Sequence, residues 1–587
     1  MFQLRWIWKN LDRKHQVLQI ICLLIEVTTV FLVLINPWLS GVMMDKVFVD
    51  GNIDLLLPIL GAMMGVWFVR QGFRYIMHTT MERNGLHLVA KLRNHLFRNL
   101  QHQDTSYFDH HRTGDIMTRL SADINWVGHF ISTLMQQTLD CIIMFLAVLI
   151  YFFTLSWKLT LAIVFVTPVV IAITRLYSSK AHPKFVENRE RLSELNTVAQ
   201  ENIAGNRVIK AFVREDYERE KFDRCNDSYR QNNLDINKLW LSFYPYIALM
   251  SNAMTIITVF FGAILIIVDP DFTPGTLTIF TSLSWALSNP LNTMGGLIDN
   301  FQRFGAAAAK IIELYYERPL ITDREDAVDH DTMQGKITFE NVTFRYQPDH
   351  TVLDNISFEV QAGQTLAILG PTGSGKTTLI NLIARFYDPT EGRILVDDCD
   401  IHLWKLEQLR SHIGTATQDV FLFSDTVEGN IVFGNQELTP EQARGYAVRA
   451  AADGFCSKLP DGYDTIIGER GMGLSGGQKQ RLALARAMAV DPAILILDDT
   501  TSAVDMETEK HIQEQLRNDP KRRTKIIIAQ RISSIKDADL ILVLKDGRIT
   551  ERGTHEQLLR LRGYYWETFA LQNDIPVDTP VEEGSDD

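Results

Sequence analysis

The apolar positions of this chain change their spacing near residue 319. Before it they gather in long unbroken runs; after it they alternate with polar residues or form short runs between glycines. A helix needs about 20 apolar residues to cross a hydrocarbon layer. Six stretches meet that length: 17–39, 55–77, 130–155, 159–176, 239–268 and 277–297. Only Ser156-Trp157-Lys158 separates the third from the fourth, which predicts a tight hairpin. Arg5, Lys9, Arg13 and Lys14 precede the first run and place the N-terminus inside the cell. The first run is too long for a removed leader and lacks a small-residue cleavage site. The stretches between runs two and three, and between four and five, are long, basic and helix-friendly. They are expected to carry the helices out into the cytoplasm.

Charges inside these runs are costly and face a bundle interior or a wet cavity. Glu26, Asp140 and Arg70 are of this kind: substrate-facing or gating groups on one reading, structural pairs or snorkelling side chains on the other. Pro168 and Pro290 are expected to kink their helices. Trp67, Tyr244, Tyr246 and Trp285 either line a cavity for apolar ligands or face lipid and neighbouring helices.

The second part reads as α/β. Residues 336–346 alternate as a half-buried strand does. The buried strand 366–369 runs straight into Gly370-Pro371-Thr372-Gly373-Ser374-Gly375-Lys376-Thr377, and a helix opens at Thr377-Thr378. This is the G-x-x-x-x-G-K-[ST] phosphate loop in its strand–loop–helix setting. Its backbone N–H groups and the helix N-terminus cradle phosphates. Lys376 adds a point charge and the Thr377 hydroxyl can ligate Mg2+, so ATP and Mg2+ are the expected cofactors. A second buried strand ends at Asp498, which fits the acid on the magnesium side. Ser475, Gly477 and Gln478, in Leu474-Ser-Gly-Gly-Gln478, head another helix and can grip a γ-phosphate.

Bulk properties narrow the class. The chain has 587 residues, 46% of them hydrophobic, and a net charge of −13, which disfavours a broad nucleic-acid footprint. Its five cysteines have neither redox nor metal spacing and read as free thiols.

These motifs together resemble a half-transporter of the ABC exporter superfamily, and the likeness covers nearly the whole chain. It implies a six-helix all-α transmembrane domain over residues 1–319, an α/β P-loop ATP-binding domain over 320–572, and a disordered acidic tail over 573–587. It places Tyr346 as the adenine-stacking aromatic and Gln418 in the loop that senses the γ-phosphate and joins Thr377 and Asp498 at the metal. Residues 468–471 resemble the segment before the signature, and Ser502-Ala-Val-Asp505 the loop that crosses to the other subunit. Residues 107–115 and 205–215 resemble the two cytoplasmic coupling loops. The resemblance further implies ATP sandwiched between two such domains, the phosphate loop of one against the signature of the other.

Two positions depart from the family pattern. Asp499 stands where a glutamate usually serves as general base, and Gln530 where a histidine usually touches the γ-phosphate. Aspartate is one methylene shorter, and glutamine carries no proton at neutral pH. The signature is intact. The reading is a heterodimeric ATP-driven exporter in the cell membrane, moving amphipathic drugs or lipids outward. A partner half-transporter brings the glutamate and histidine, and this chain's own phosphate loop holds ATP with slow turnover. A homodimer with two weak sites and a non-pumping ATP-gated regulator are the alternatives.

Overall fold

The computed structural model describes residues 2–165, 167–468, 471 and 473–576, and the chain divides into two units. One comprises Met1–Gln101 and Thr113–Glu317, the other His102–Arg112 and Arg318–Asp587. Residues 102–112 thus group with the second unit although they precede it by two hundred positions.

The first unit is helical. Among the described residues, Arg13–Val49, Ile53–Gln101 and Thr113–Leu155 are each long and apolar enough to cross a membrane. The other expected spans fall on Trp157–Val164 with the start of Thr167–Ala204, on Glu215–Val268 and on Pro274–Tyr316. The Leu56–Gln101 helix has 46 residues, about 70 Å at 1.5 Å per residue, more than twice a hydrocarbon layer. Spans therefore continue as helix well beyond the bilayer. Leu57, Phe165 and Ile267 are 79%, 81% and 85% exposed, a surface suited to lipid.

Ser156 makes the expected hairpin: its hydroxyl accepts the Leu159 N–H as the cap of the Trp157–Val164 helix. The helical run breaks just before Pro168, between Trp157–Val164 and Thr167–Ala204, and residue 166 at the break lies outside the described residues. Pro168 is the second residue of Thr167–Ala204, near a helix start, where proline is tolerated. Helices approach closely at glycines. A Cβ on Gly128 would lie 2.4 Å from Val89 Cγ2, and one on Gly85 2.9 Å from the Gly128 carbonyl oxygen. The Asp45 carboxylate accepts the Gly275 N–H and the Thr273 hydroxyl, both at 2.7 Å, and so caps the Pro274–Tyr316 helix.

The second unit is built on two sheets. Strands β1 (Ile337–Gln347), β2 (His350–Val360), β4 (Glu391–Val396) and β5 (Cys399–Asp400) form an antiparallel sheet in the order β2-β1-β4-β5. The central sheet is β10-β9-β3-β8-β7-β6: β3 (Thr365–Leu369), β6 (Ile413–Ala416), β7 (Ile494–Asp498), β8 (Thr524–Ile528), β9 (Leu540–Lys545) and β10 (Arg548–Gly553). All but β10 run parallel. Every residue of β7 is buried, as a strand covered on both faces requires.

Candidate functional site

Parallel pairing brings the chemistry to one edge. Ile368 of β3 lies beside Ile528 of β8, Asp498 of β7 also beside Ile528, and Ala416 of β6 beside Leu497. Four chain segments leave this sheet at the same level: the phosphate loop after β3, Gln418 after β6, Asp498-Asp499 at β7 and Gln530 after β8. Ligands of open α/β sheets bind beyond such carboxyl ends.

The phosphate loop is shaped by its glycines. A Cβ on Gly370 would sit 2.1 Å from the Leu544 carbonyl oxygen, so no side chain fits there. Gly373 faces open space but has φ +82, which glycine alone adopts cheaply. Lys376 Nζ folds back and donates to the carbonyl oxygens of Gly370 and Pro371 at 2.8 Å. Ser374 Oγ is buried without a hydrogen-bond partner among the described residues. Gly375 precedes the Lys376–Ile383 helix. Thr372 is exposed at the loop's rim.

The Thr377 hydroxyl donates to Asp498 Oδ2 at 3.0 Å, joining the helix start to the end of β7. Burial pushes the Asp498 carboxyl above its usual range, against the Thr377 hydrogen bond, and Asp499 adds to the rise. Burial likewise lowers Lys376, against the pull of Asp498 and Asp499.

Asp499 adopts φ +49, a left-handed conformation aspartate tolerates better than most residues. Its N–H donates to the Ile528 carbonyl at 2.9 Å. Gln530 is exposed; its backbone carbonyl accepts from Gln572 Nε2 at 2.7 Å. Gln418 is exposed on the loop that follows β6. Tyr346 stands edge-on to Tyr387 at 5.1 Å between ring centroids, and its hydroxyl donates to Thr378 Oγ1 at 3.3 Å.

The signature is set apart. Ser475 caps the Gly476–Ala489 helix in a capping box, its hydroxyl accepting the Gln478 N–H while Gln478 Oε1 accepts the Ser475 N–H. Among the described residues no hydrogen bond joins residues 475–478 to the phosphate loop. Ser475 and Gly476 are exposed, and a Cβ on Gly477 would lie 2.6 Å from the Ala503 carbonyl oxygen. Glu469 and Arg470 of the preceding segment lie outside the described residues, as does 577–587 of the tail.

Two residues that the sequence did not mark tie the site together. Buried Gln480 donates to the Asp499 carbonyl oxygen (3.3 Å) and the Ser502 hydroxyl (3.0 Å), and accepts the Ala503 N–H (3.1 Å). It fixes the loop after β7 to the signature helix. Its signal was present as the polar residue of Gln478-Lys479-Gln480 that falls on the buried face. Tyr387 donates to Asp109 in the 102–112 segment, a pairing that no local spacing announces.

In the first unit, Glu26, Arg70, Arg74 and Asp140 surround a cavity of about 220 Å³ that Trp285 also lines. Glu26 is 3% exposed and accepts from Gln136 Nε2 at 2.7 Å and the Thr29 hydroxyl at 3.2 Å. Trp67, Tyr244 and Tyr246 are half exposed.

Comparison with known proteins gives one result throughout. Residues 19–291 match the ABC transporter transmembrane region and residues 353–502 the ABC transporter family. An uncharacterized ABC transporter ATP-binding protein of Bacillus subtilis is 39% identical over 503 residues, 85% of this chain and 86% of that one. An ATP-dependent lipid A-core flippase of Syntrophus aciditrophicus is 35% identical over 557 residues, 94% and 91% of the two chains. The solved structure of a bacterial Atm1-family ABC exporter with ATP bound aligns with TM-score 0.80 and 28% identity, covering 95% of this chain and 99% of that one.

Proposed function

Since this chain belongs to the ABC transporters, as an exporter half-transporter with fused transmembrane and ATP-binding regions, we propose that it is the weakly hydrolysing subunit of a heterodimeric exporter. The observation that carries this is the pairing of Asp499 and Gln530 at one strand edge beside a complete phosphate loop. The loop fits a nucleotide triphosphate: Ser374 Oγ is a buried hydroxyl without a partner among the described residues, and the space beside Gly373 is open. ATP is held by the backbone N–H groups of 370–377, by Lys376 once its Nζ leaves the two loop carbonyls, and by Tyr346 against the base. Thr377, Asp498 and Gln418 are the residues that would hold Mg2+, which when bound neutralises phosphate charge.

Asp499 supplies a short carboxylate on a backbone fixed by the Ile528 and Gln480 hydrogen bonds. It has little freedom to move toward a water that a longer glutamate would reach. General base catalysis contributes on the order of 10²–10⁴-fold, so this site turns over slowly. The intact signature, with Ser475 exposed and Gly477 and Gln478 half-buried, completes the partner's site, where the partner's glutamate and histidine act. Relatives named lipid A-core flippases support an amphipathic, lipid-like cargo.

The test is ATPase activity of this chain alone, with its partner, and with the partner's catalytic Glu→Gln. Negligible, strong and abolished activity in that order is expected. Strong activity from this chain alone would overturn the asymmetric reading.

A further inference from the structure

Outside both the nucleotide site and the intramembrane cavity, three metal-ligating residues converge where the N-terminal segment meets the second long helix. Asp12 immediately precedes the Arg13–Met43 helix without a side-chain capping bond, His15 lies in its first turn, and His87 lies on the Leu56–Gln101 helix. One donor atom from each lies within 4.8 Å of the others. We propose that Asp12, His15 and His87 bind a divalent transition ion of the Zn2+ class.

The tautomers suit this. His87 Nε2 pairs with Asp12 Oδ2 at 2.8 Å, a contact in which an ion replaces the shared proton. His15 Nδ1 lies 2.8 Å from Asn84 Oδ1. Asn84 is 1% exposed, and its Nδ2 is committed to Gln19 Oε1 at 2.9 Å and the His15 carbonyl at 3.4 Å. Gln19 is in turn buried and donates to the Ile131 carbonyl at 2.9 Å. Asn84 therefore presents its oxygen, His15 Nδ1 carries the proton, and Nε2 keeps its lone pair. A buried acceptor that fixes the imidazole tautomer is the usual second layer of a metal site. The two rings stack at 4.1 Å and 17°, a packing that neutral imidazoles accept and two imidazolium ions resist.

Lys91 Nζ donates to Asp12 Oδ1 at 2.5 Å, which leaves Oδ2 for the ion. Two imidazoles and one carboxylate select a borderline ion over Mg2+ or Ca2+, and water completes the coordination. The ion would pin the start of the first spanning helix to the cytoplasmic extension of the second.

The experiment is a Co2+ titration of the untagged full-length chain in detergent, without nucleotide, followed by visible absorption and displaced by Zn2+. One Co2+ per chain with ligand-field bands that Zn2+ bleaches is expected. His15→Ala and His87→Ala should each weaken binding at least ~10-fold, while ATP binding and the melting temperature without metal stay near wild type. His87 is exposed, so His87→Gln decides the question if His15→Ala misfolds. Absence of stoichiometric Co2+ binding to the wild-type chain, or equal binding by the His87 variant, would overturn the assignment.

Discussion

The hydroxyl of Tyr387 donates to the carboxylate of Asp109, joining residues 278 positions apart. Burial and the neighbouring carboxylate hold the Tyr387 phenol well above its ordinary range, so it stays a donor at any working pH. On its other side Tyr387 meets the ring of Tyr346, which we place against the adenine. The segment 102–112 is further held by Asp104, whose carboxylate accepts the N–H groups of Tyr107 and Leu320. These contacts join Tyr346 to the segment 102–112 within the second unit.

Tyr387→Phe keeps the ring and removes the bond. Nucleotide affinity should change less than about 2-fold, whereas transport per ATP should fall. A hydrogen bond to a charged group is worth about 1.5–3 kcal/mol, roughly 10- to 150-fold. Parallel assays of transport and ATPase in proteoliposomes check this; equal losses in both would rule out a coupling role.

Asp499→Glu combined with Gln530→His should raise hydrolysis at this chain's own phosphate loop by at least ~10-fold. The measurement is ATPase of the dimer whose other site is silenced by the partner's Glu→Gln change. No gain would mean that the substitutions are not what slows the site.

Gln480→Ala strands the Ala503 N–H and frees the Asp499 carbonyl. The expected cost is about 1–3 kcal/mol of domain stability, together with weaker ATPase at both composite sites. Denaturant titration and steady-state rates would report it. Gln480→Glu keeps an acceptor for Ala503 but sets a buried carboxylate oxygen against the Asp499 carbonyl, and should cost at least as much as Gln480→Ala.

Gly128→Val overfills the contact with Val89 and Gly85, at about 1–3 kcal/mol for overpacking. Gly61→Ala has no heavy atom within 4 Å of the new methyl and should be neutral. Melting curves in detergent should separate the two; similar behaviour would mean the helices can part without penalty.

Asp505 caps the Met506–Arg517 helix, accepting the N–H and hydroxyl of Thr508, each at 2.9 Å. Those bonds hold its carboxyl below the usual range. A lowered folded value means the contribution is complete above the ordinary carboxylate range and is lost as pH falls through the folded value. The melting temperature should therefore drop as pH falls below the ordinary aspartate value of about 3.9. Asp505→Asn should flatten part of that drop.

The chain alone determined what depends on local rules. Long apolar runs have to be membrane helices, because no other local structure satisfies a backbone in lipid. A buried strand feeding Gly370–Thr377 has to be a phosphate loop, because the spacing of glycines, lysine and threonine is the geometry of the site. The departures at Asp499 and Gln530 were legible for the same reason: each falls at a fixed offset from a strand. Tertiary structure decided what depends on closure of distant segments. Gln480 gained its importance only when the signature helix packed against the loop after β7. Tyr387 did so only when 102–112 joined the second unit, and Glu26, Arg70 and Asp140 became one cavity only when three helices packed together. Those contacts are set by how side chains fill space between elements, and neither periodicity nor motif spacing encodes which distant residue will be on the other side.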